Sequence, residues 1–292
     1  MAEHGPDKRQ VRRNFGRASP AYDRFASLQR EVRERLLAAL DGLSIAPRRL
    51  VDIGTGTGHA LPELGRRYPK AERIALDLAP EMAHAARRQT SRWRRWRGRD
   101  HVLCADAEAL PLADASCDLL FSSLAFQWCG DLTRLFGECR RVLRPGGLLH
   151  FATFGPDTLH ELRTSWQTVD PRPHLIDFHP LHAIGDAVAA AGFANTVVDV
   201  DRLRLDYPNV ASLMADLKGL GARNAHRDRP RGLTTRTRLQ AMTQAYETLR
   251  TPAGLPASYE VIYGHAWAAE PHPRANLHEQ RIDIEKIGGR HR

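Results

Sequence analysis

The stretch VDIGTGTGHA (51–60) is the strongest constraint in the chain, because an apolar run ends there in three glycines spaced two apart. Glycine at a strand end permits a tight turn and lets the backbone approach a bound molecule with no Cβ in the way. Three of them raise the entropy of the unfolded chain, which disfavours a bare connecting loop. Around this turn, segments with strand character alternate with helical ones. RLVDI (49–53), ERIALD (72–77), HVLCAD (101–106), CDLLFSS (117–123) and GLLHFATF (147–154) read as strands. The stretches 59–68, 80–89 and 131–143 read as helices between them, the second opening with Pro80 and Glu81, which suit a helix start. Such alternation predicts an α/β fold: a doubly wound, mostly parallel sheet of seven strands with helices on both faces. In sheets of this kind, ligands bind outside the carboxyl ends of the strands, where strand order reverses. The glycine turn lies at such an end.

The turn is not a dinucleotide fingerprint. That motif needs G-x-G-x-x-G, whose last glycine allows close packing of helix on sheet. Here the glycines are Gly54, Gly56 and Gly58, and His59 stands where the third fingerprint glycine would fall, a residue expected to crowd that contact. Acids mark the next strand ends. Asp77 closes the second strand, about 20 residues past the turn, where a carboxylate can accept from a ribose diol. Asp106 closes the third, where its carboxylate and the adjacent Ala107 backbone can meet an adenine edge. SSLAFQW (122–128) follows the fourth, where reacting groups sit in this architecture.

After residue 155 the pattern loosens. Helices are expected over 156–170, 181–193, 210–221 and 235–250, and strands over 195–207 and 258–268. The segment 11–45 reads as a helical lid on either side of Pro20, followed by a cofactor half (46–155) and a substrate half (156–270) with a helical insertion at 208–256. All form one domain over 11–270, and the polar tail 271–292 is expected to be disordered. No run of 18 apolar residues is present and the N-terminus has no apolar signal core, so a cytoplasmic protein without a membrane partner is expected. The four cysteines (Cys104, Cys117, Cys129, Cys139) form no CxxC pair and read as reduced thiols. His174, His179 and His182 lack the companions of a metal site, and none is expected. The net charge of +9 would draw an acidic partner. SRWRRWRGR (91–99) reads first as a solvated helix–loop surface and GARNAHRDRPRGLTTR (221–236) as a basic loop; either is also a candidate face for an acidic carrier, with nucleic acid the less favoured partner.

VDIGTGTG, LDLAPEM, CADAEALPLADASCDLLFSSLAFQW and RVLRPGGLL resemble the class I S-adenosylmethionine-dependent methyltransferases over about residues 48–155. The resemblance implies that Asp52, Gly54, Gly56 and Gly58 line the methionine end, that Asp77 with Leu78 holds the ribose, and that Asp106 and Ala107 meet the adenine, with Ser123 close by. FGRASPAYDRFASLQREV, SLAFQWCGDL, FGPDTLHELRTSWQTVDPRPHLIDFHP, LKGLGARNAHRDRPRGLTTRTRLQAM and LPASYEVIYGHAW are similar to the malonyl-[acyl-carrier protein] O-methyltransferase family of biotin synthesis. A mitochondrial family that assists respiratory complex I assembly is similar in its second half. The first of these resemblances implies methyl transfer to the free carboxylate of a malonyl thioester on an acidic acyl-carrier protein or coenzyme A. The ester would mask a charge barring the chain from fatty-acid elongation. Arg172 is the first choice to capture that carboxylate and His174 the second. Tyr22 would close over the cofactor, and Gln127 and Trp128 would border the reacting methyl. An RNA or protein methyltransferase, or a non-enzymatic assembly factor, remains an alternative.

Overall fold

The structure, a computed structural model, describes residues 5–230 and 232–269. The expected disordered tail, 271–292, lies outside the described residues. The strands are β1 (Arg49–Ile53), β2 (Glu72–Asp77), β3 (Asp100–Cys104), β4 (Cys117–Ser123), β5 (Leu143–Phe154), β6 (Phe193–Tyr207) and β7 (Leu255–Ala268). They form one seven-stranded sheet in the order β3-β2-β1-β4-β5-β7-β6. The first five run parallel, and β7 lies antiparallel between β5 and β6. Strand order reverses between β1 and β4, so the crevice at their carboxyl ends is the place for a ligand.

Three helices precede the sheet: α1 (Lys8–Ala18), α2 (Tyr22–Phe25) and α3 (Ser27–Ala39). The parallel strands are joined through α4 (Leu61–Arg67), α5 (Pro80–Ala86), α6 (Arg92–Trp96) and α7 (Leu132–Val142). Later come α8 (His160–Gln167) and α9 (Leu181–Ala190), then α10 (Val210–Gly219) and α11 (Arg236–Glu247) between β6 and β7. Their starts follow local chemistry. Asp7, Asp131, Asn209 and Thr235 cap α1, α7, α10 and α11 with side-chain acceptors, and α4 and α5 carry proline in their first turn.

Alternate residues of the buried strands feed two cores, one on each face of the sheet. Leu50, Leu119, Phe121, Leu148 and Val261 pack with α3 and α8. Val51, Leu120, Leu149, Phe151 and Ile262 pack with α7 and α9. Several expected boundaries shift. The helix after the glycine turn starts at Leu61, since residues 55–58 are spent in turns. β5 starts at Leu143 and not at 147: Leu143 pairs with Cys117, the chain bulges through Gly146 (φ +74°), and pairing resumes at Leu148 with Leu119. Asp106 stands beyond β3, in an isolated bridge with Ala109. No described helix is long and apolar enough to cross a membrane.

Candidate active site

The turn after β1 is stitched to β2, where the backbone N–H groups of Gly54 and Thr55 both donate to the Leu76 carbonyl at 2.7 and 2.9 Å. Its three glycines do different work. All have positive φ, at +70°, +56° and +86°. A Cβ on Gly54 would lie 2.1 Å from the Cβ of Ala125, so bare backbone is needed beside the loop that follows β4. A Cβ on Gly58 would lie 2.9 Å from the Cα of Ala86 on α5. Gly58 therefore carries out the helix packing that a fingerprint glycine would perform, and does not line the cavity. A Cβ on Gly56 would meet nothing within 4 Å, because it would enter the open space of the cavity itself. His59, expected to crowd the helix, is half-exposed and pairs with Asp23 of α2 at 3.1 Å. Thr57 donates to the same acid at 2.7 Å, so the turn holds α2 in place.

Next to Asp23, Tyr22 reaches the cavity wall. Burial, with Asp77 and Asp23 nearby, pushes its phenol well above the usual range. Asp77 faces the same cavity and accepts from the Gly56 and Ala79 N–H groups at 2.9 and 2.8 Å. Burial still raises its pKa to about 6, despite those donors. Asp52 lies behind the turn, where it accepts from the Thr55 hydroxyl at 2.6 Å. Burial chiefly, and Asp77 next, raise its pKa to about 7. Leu78, Asp106, Ala107, Ser123 and Trp128 complete the predicted part of the wall. These residues fit an adenosine-type ligand: a carboxylate for a diol, a second for an amino group, apolar sides, and space over Gly56.

Trp128 also lines a second, larger cavity of about 610 Å³. Its walls are mostly apolar, with Phe154, Trp166, Phe178 and Tyr259 among them. The indole stands between the two cavities, held edge-on by Phe15 of α1 at 5.2 Å between ring centroids. The two cavities thus share the Trp128 ring as a common wall.

The structure separates the two residues chosen to capture a carboxylate. His174 lines the large cavity, its ring stacked parallel on Trp166 at 3.8 Å. Its Nε2 lies 3.3 Å from Asp170 without the alignment of a hydrogen bond. Arg172 does not reach the cavity. Its guanidinium forks onto Asp170 at 3.0 and 2.8 Å, and this bidentate contact holds the acid well below the usual carboxylate range. The bidentate edge of the guanidinium is thus spent on Asp170. Gln127 is also out of reach. It is buried, donates to the Leu124 carbonyl at 2.7 Å, accepts from Thr153 at 3.2 Å, and lines neither cavity.

Other residues of the site have no local signal in the sequence. Lys8 of α1 spans 98 positions to donate to both oxygens of Asp106 at 2.7 and 2.6 Å, and it pairs with Glu108 at 2.6 Å. Phe15, Lys218, Arg223 and Arg229 reach the two cavities only through tertiary packing. Cys129 lines the smaller cavity, and the four cysteines are free thiols. Among the described residues no group of three or more His, Cys, Asp or Glu is placed to hold a metal ion.

Residues 51–151 match a methyltransferase domain family. A malonyl-[acyl-carrier protein] O-methyltransferase of Methylovorus is 48% identical over 273 residues, spanning 93% of this chain and 92% of that protein. Another, from Nitrosospira multiformis, is 44% identical over 287 residues, spanning 94% and 93%. The structure of a SAM-dependent methyltransferase from Thermotoga maritima superposes with a TM-score of 0.52 at 18% identity, covering 88% of this chain and 99% of that one.

Proposed function

The chain belongs to the malonyl-[acyl-carrier protein] O-methyltransferases, and from that premise we propose that its two cavities carry out methyl transfer from S-adenosylmethionine to the free carboxylate of a malonyl thioester on acyl-carrier protein. The observation that supports this reading is the shared wall: Trp128 borders both the glycine-turn cavity and the large apolar one.

S-Adenosylmethionine supplies an electrophilic methyl group on a cationic sulfur. A carboxylic acid with a pKa of about 4 is already ionised at neutral pH, so the chain needs no general base. Its work is to hold the carboxylate in line with the methyl group and keep water out. Such positioning contributes up to roughly 7–11 kcal/mol in ideal cases. Asp77 and Asp106 hold the nucleoside, and Gly56 leaves room for it. Tyr22, on the lid formed by α1 and α2, closes the open side. Trp128 and Phe15 fix the boundary at which the two reactants meet.

His174 takes the carboxylate-orienting role, with Trp166 holding the plane of its ring and Asp170 its edge. Arg172 acts through Asp170, as a positioning residue. The product ester carries no charge, which suits it to chain-extending enzymes that take uncharged acyl groups, as in the supply of the biotin side chain.

The test is incubation of purified protein with methyl-labelled S-adenosylmethionine and malonyl-carrier protein, malonyl-coenzyme A or total RNA. Label should enter the malonyl-carrier protein as a base-labile ester. Label in RNA alone, or none in any acceptor while S-adenosylmethionine binds, would refute the reading.

A further inference from the structure

Beside the mouth of the large cavity lies a shallow groove built from α1, α10 and the loop after α10. Three cations border it: Arg17 from the last turn of α1, Lys218 from the last turn of α10, and Arg223 from the loop. Lys218 and Arg223 line the large cavity as well, so the groove adjoins that cavity.

Among the described residues these cations carry no carboxylate partner, unlike several other arginines at the surface of the protein. Arg35, Arg66, Arg141, Arg144 and Arg250 each have a carboxylate partner. Arg17, Lys218 and Arg223 are exposed, and among the described residues none has an ion pair or a side-chain hydrogen bond. No acid lines the groove. Asp216, the acid of α10, lies against Tyr207. Helix dipoles favour a cation in the last turn of α1 and of α10, but they explain neither Arg223 on a loop nor the lack of any acid.

A second observation comes from Asn14, which lines the groove and is only 4% exposed. Its Oδ1 accepts from Gln10 at 2.7 Å, while its Nδ2 has no acceptor. A buried donor left unsatisfied is costly, and an anionic oxygen entering the groove would supply what it lacks. Unopposed positive charge around such a donor is the arrangement that attracts a phosphate-type anion.

We propose that this groove docks the acyl-carrier protein, seating the phosphodiester of its prosthetic arm between Arg17, Lys218 and Arg223 while the arm runs on into the large cavity. The inference rests on the methyl-transfer reading above, and it deepens that reading by naming the surface that selects a carrier-bound substrate. The carrier's acidic face supplies the complementary charge. The contact sets association rate and KM, since it is made equally before and during methyl transfer.

Two measurements test it. Arg17 borders the groove and not the large cavity, so R17E should raise the KM for malonyl-carrier protein at least threefold. Its kcat, and its kinetics with malonyl-pantetheine, which has neither phosphate nor carrier, should stay within twofold of the parent. The R17E/K218E/R223E variant should bind fluorescently labelled malonyl-carrier protein at least tenfold more weakly by anisotropy, with a smaller salt dependence than the parent; R17Q/K218Q/R223Q replaces it if charge reversal prevents folding. The anisotropy needs no turnover. If the parent binds carrier through the groove without methylating it, the reaction reading fails and the docking surface stands. Unchanged carrier affinity in the triple variant, a parent that does not bind carrier, or an equal loss on malonyl-pantetheine in R17E would overturn the proposal.

Discussion

Replacing Gly58 and Gly56 separately by alanine should divide stability from cofactor binding. At Gly58 two penalties add. A left-handed φ of +86° costs a non-glycine residue about 1–2 kcal/mol. The new methyl group would stand 2.9, 3.0 and 3.2 Å from Cα, Cβ and O of Ala86, none of which moves without α5. Overpacking of this kind costs about 1–3 kcal/mol. Loss of unfolded-state entropy returns about 0.4–1 kcal/mol. The net is a loss of about 3 kcal/mol, and at roughly 2–4 °C per kcal/mol for a chain of this size the melting temperature falls by about 6–12 °C. At Gly56 only the backbone term applies, since no atom lies within 4 Å of the added Cβ. That leaves about 1 kcal/mol after the same entropy correction. On the proposed reading, however, the methyl group fills space that the nucleoside needs. Gly58→Ala should melt early and bind S-adenosylhomocysteine within a few-fold of the parent at 15 °C. Gly56→Ala should melt within about 4 °C of the parent and bind at least thirtyfold more weakly. Differential scanning and titration calorimetry read both. The reasoning fails if Gly58→Ala melts like the parent, or if Gly56→Ala keeps its affinity.

Asp52 gives a pH test. Its folded pKa of about 7 exceeds the ordinary 3.8. Its contribution to stability is therefore fully present below pH 4 and is lost as pH rises through about 7. Asp52→Asn should gain stability relative to the parent between pH 5 and pH 8 in denaturant titrations, and a constant difference would contradict the assignment. The Asp77 pKa of about 6 is raised too, and a ribose diol donating through both hydroxyls binds the ionised carboxylate more strongly than the protonated one. Cofactor binding at pH 6 should therefore release protons, seen as a dependence of the calorimetric heat on buffer ionisation enthalpy; heat independent of buffer rules this out. His174→Ala should raise the KM for the acyl substrate more than Arg172→Ala does, with S-adenosylhomocysteine affinity unchanged in both. The order would reverse if Arg172 touched the substrate itself. Trp128→Ala should lower kcat more than tenfold through loss of the shared wall, and a variant with parental kcat would remove Trp128 from the reaction.

The sheet and the cavity beside the glycine turn were legible because their information is local. Each strand is a short buried run, and Gly54, Gly56, Asp77 and Asp106 follow strand ends in sequence order. What could not be read from the sequence was pairwise. Whether Gly58 faces ligand or helix depends on where Ala86 lies, 28 positions later. Whether Arg172 is free depends on Asp170, two residues away, and on the bend that brings their side chains together. Sequence proximity made Arg172 and His174 look like alternatives for one task. The fold turns one toward the acid and the other toward the cavity.

That division has an electrostatic reason. The reaction joins a carboxylate to a methyl group leaving a cationic sulfur, and both charges vanish. One full cation 4 Å from the carboxylate, at an effective dielectric near 20, stabilises the starting state by about 4 kcal/mol. The neutral ester gives most of that back, and the transition state gives back part of it. A free guanidinium fork beside Trp128 would thus hold substrate tightly and slow its methylation. The structure keeps the Arg172 fork on Asp170 and sets Arg17, Lys218 and Arg223 on the adjoining groove. On the docking proposal, attraction there hastens arrival without opposing the loss of charge.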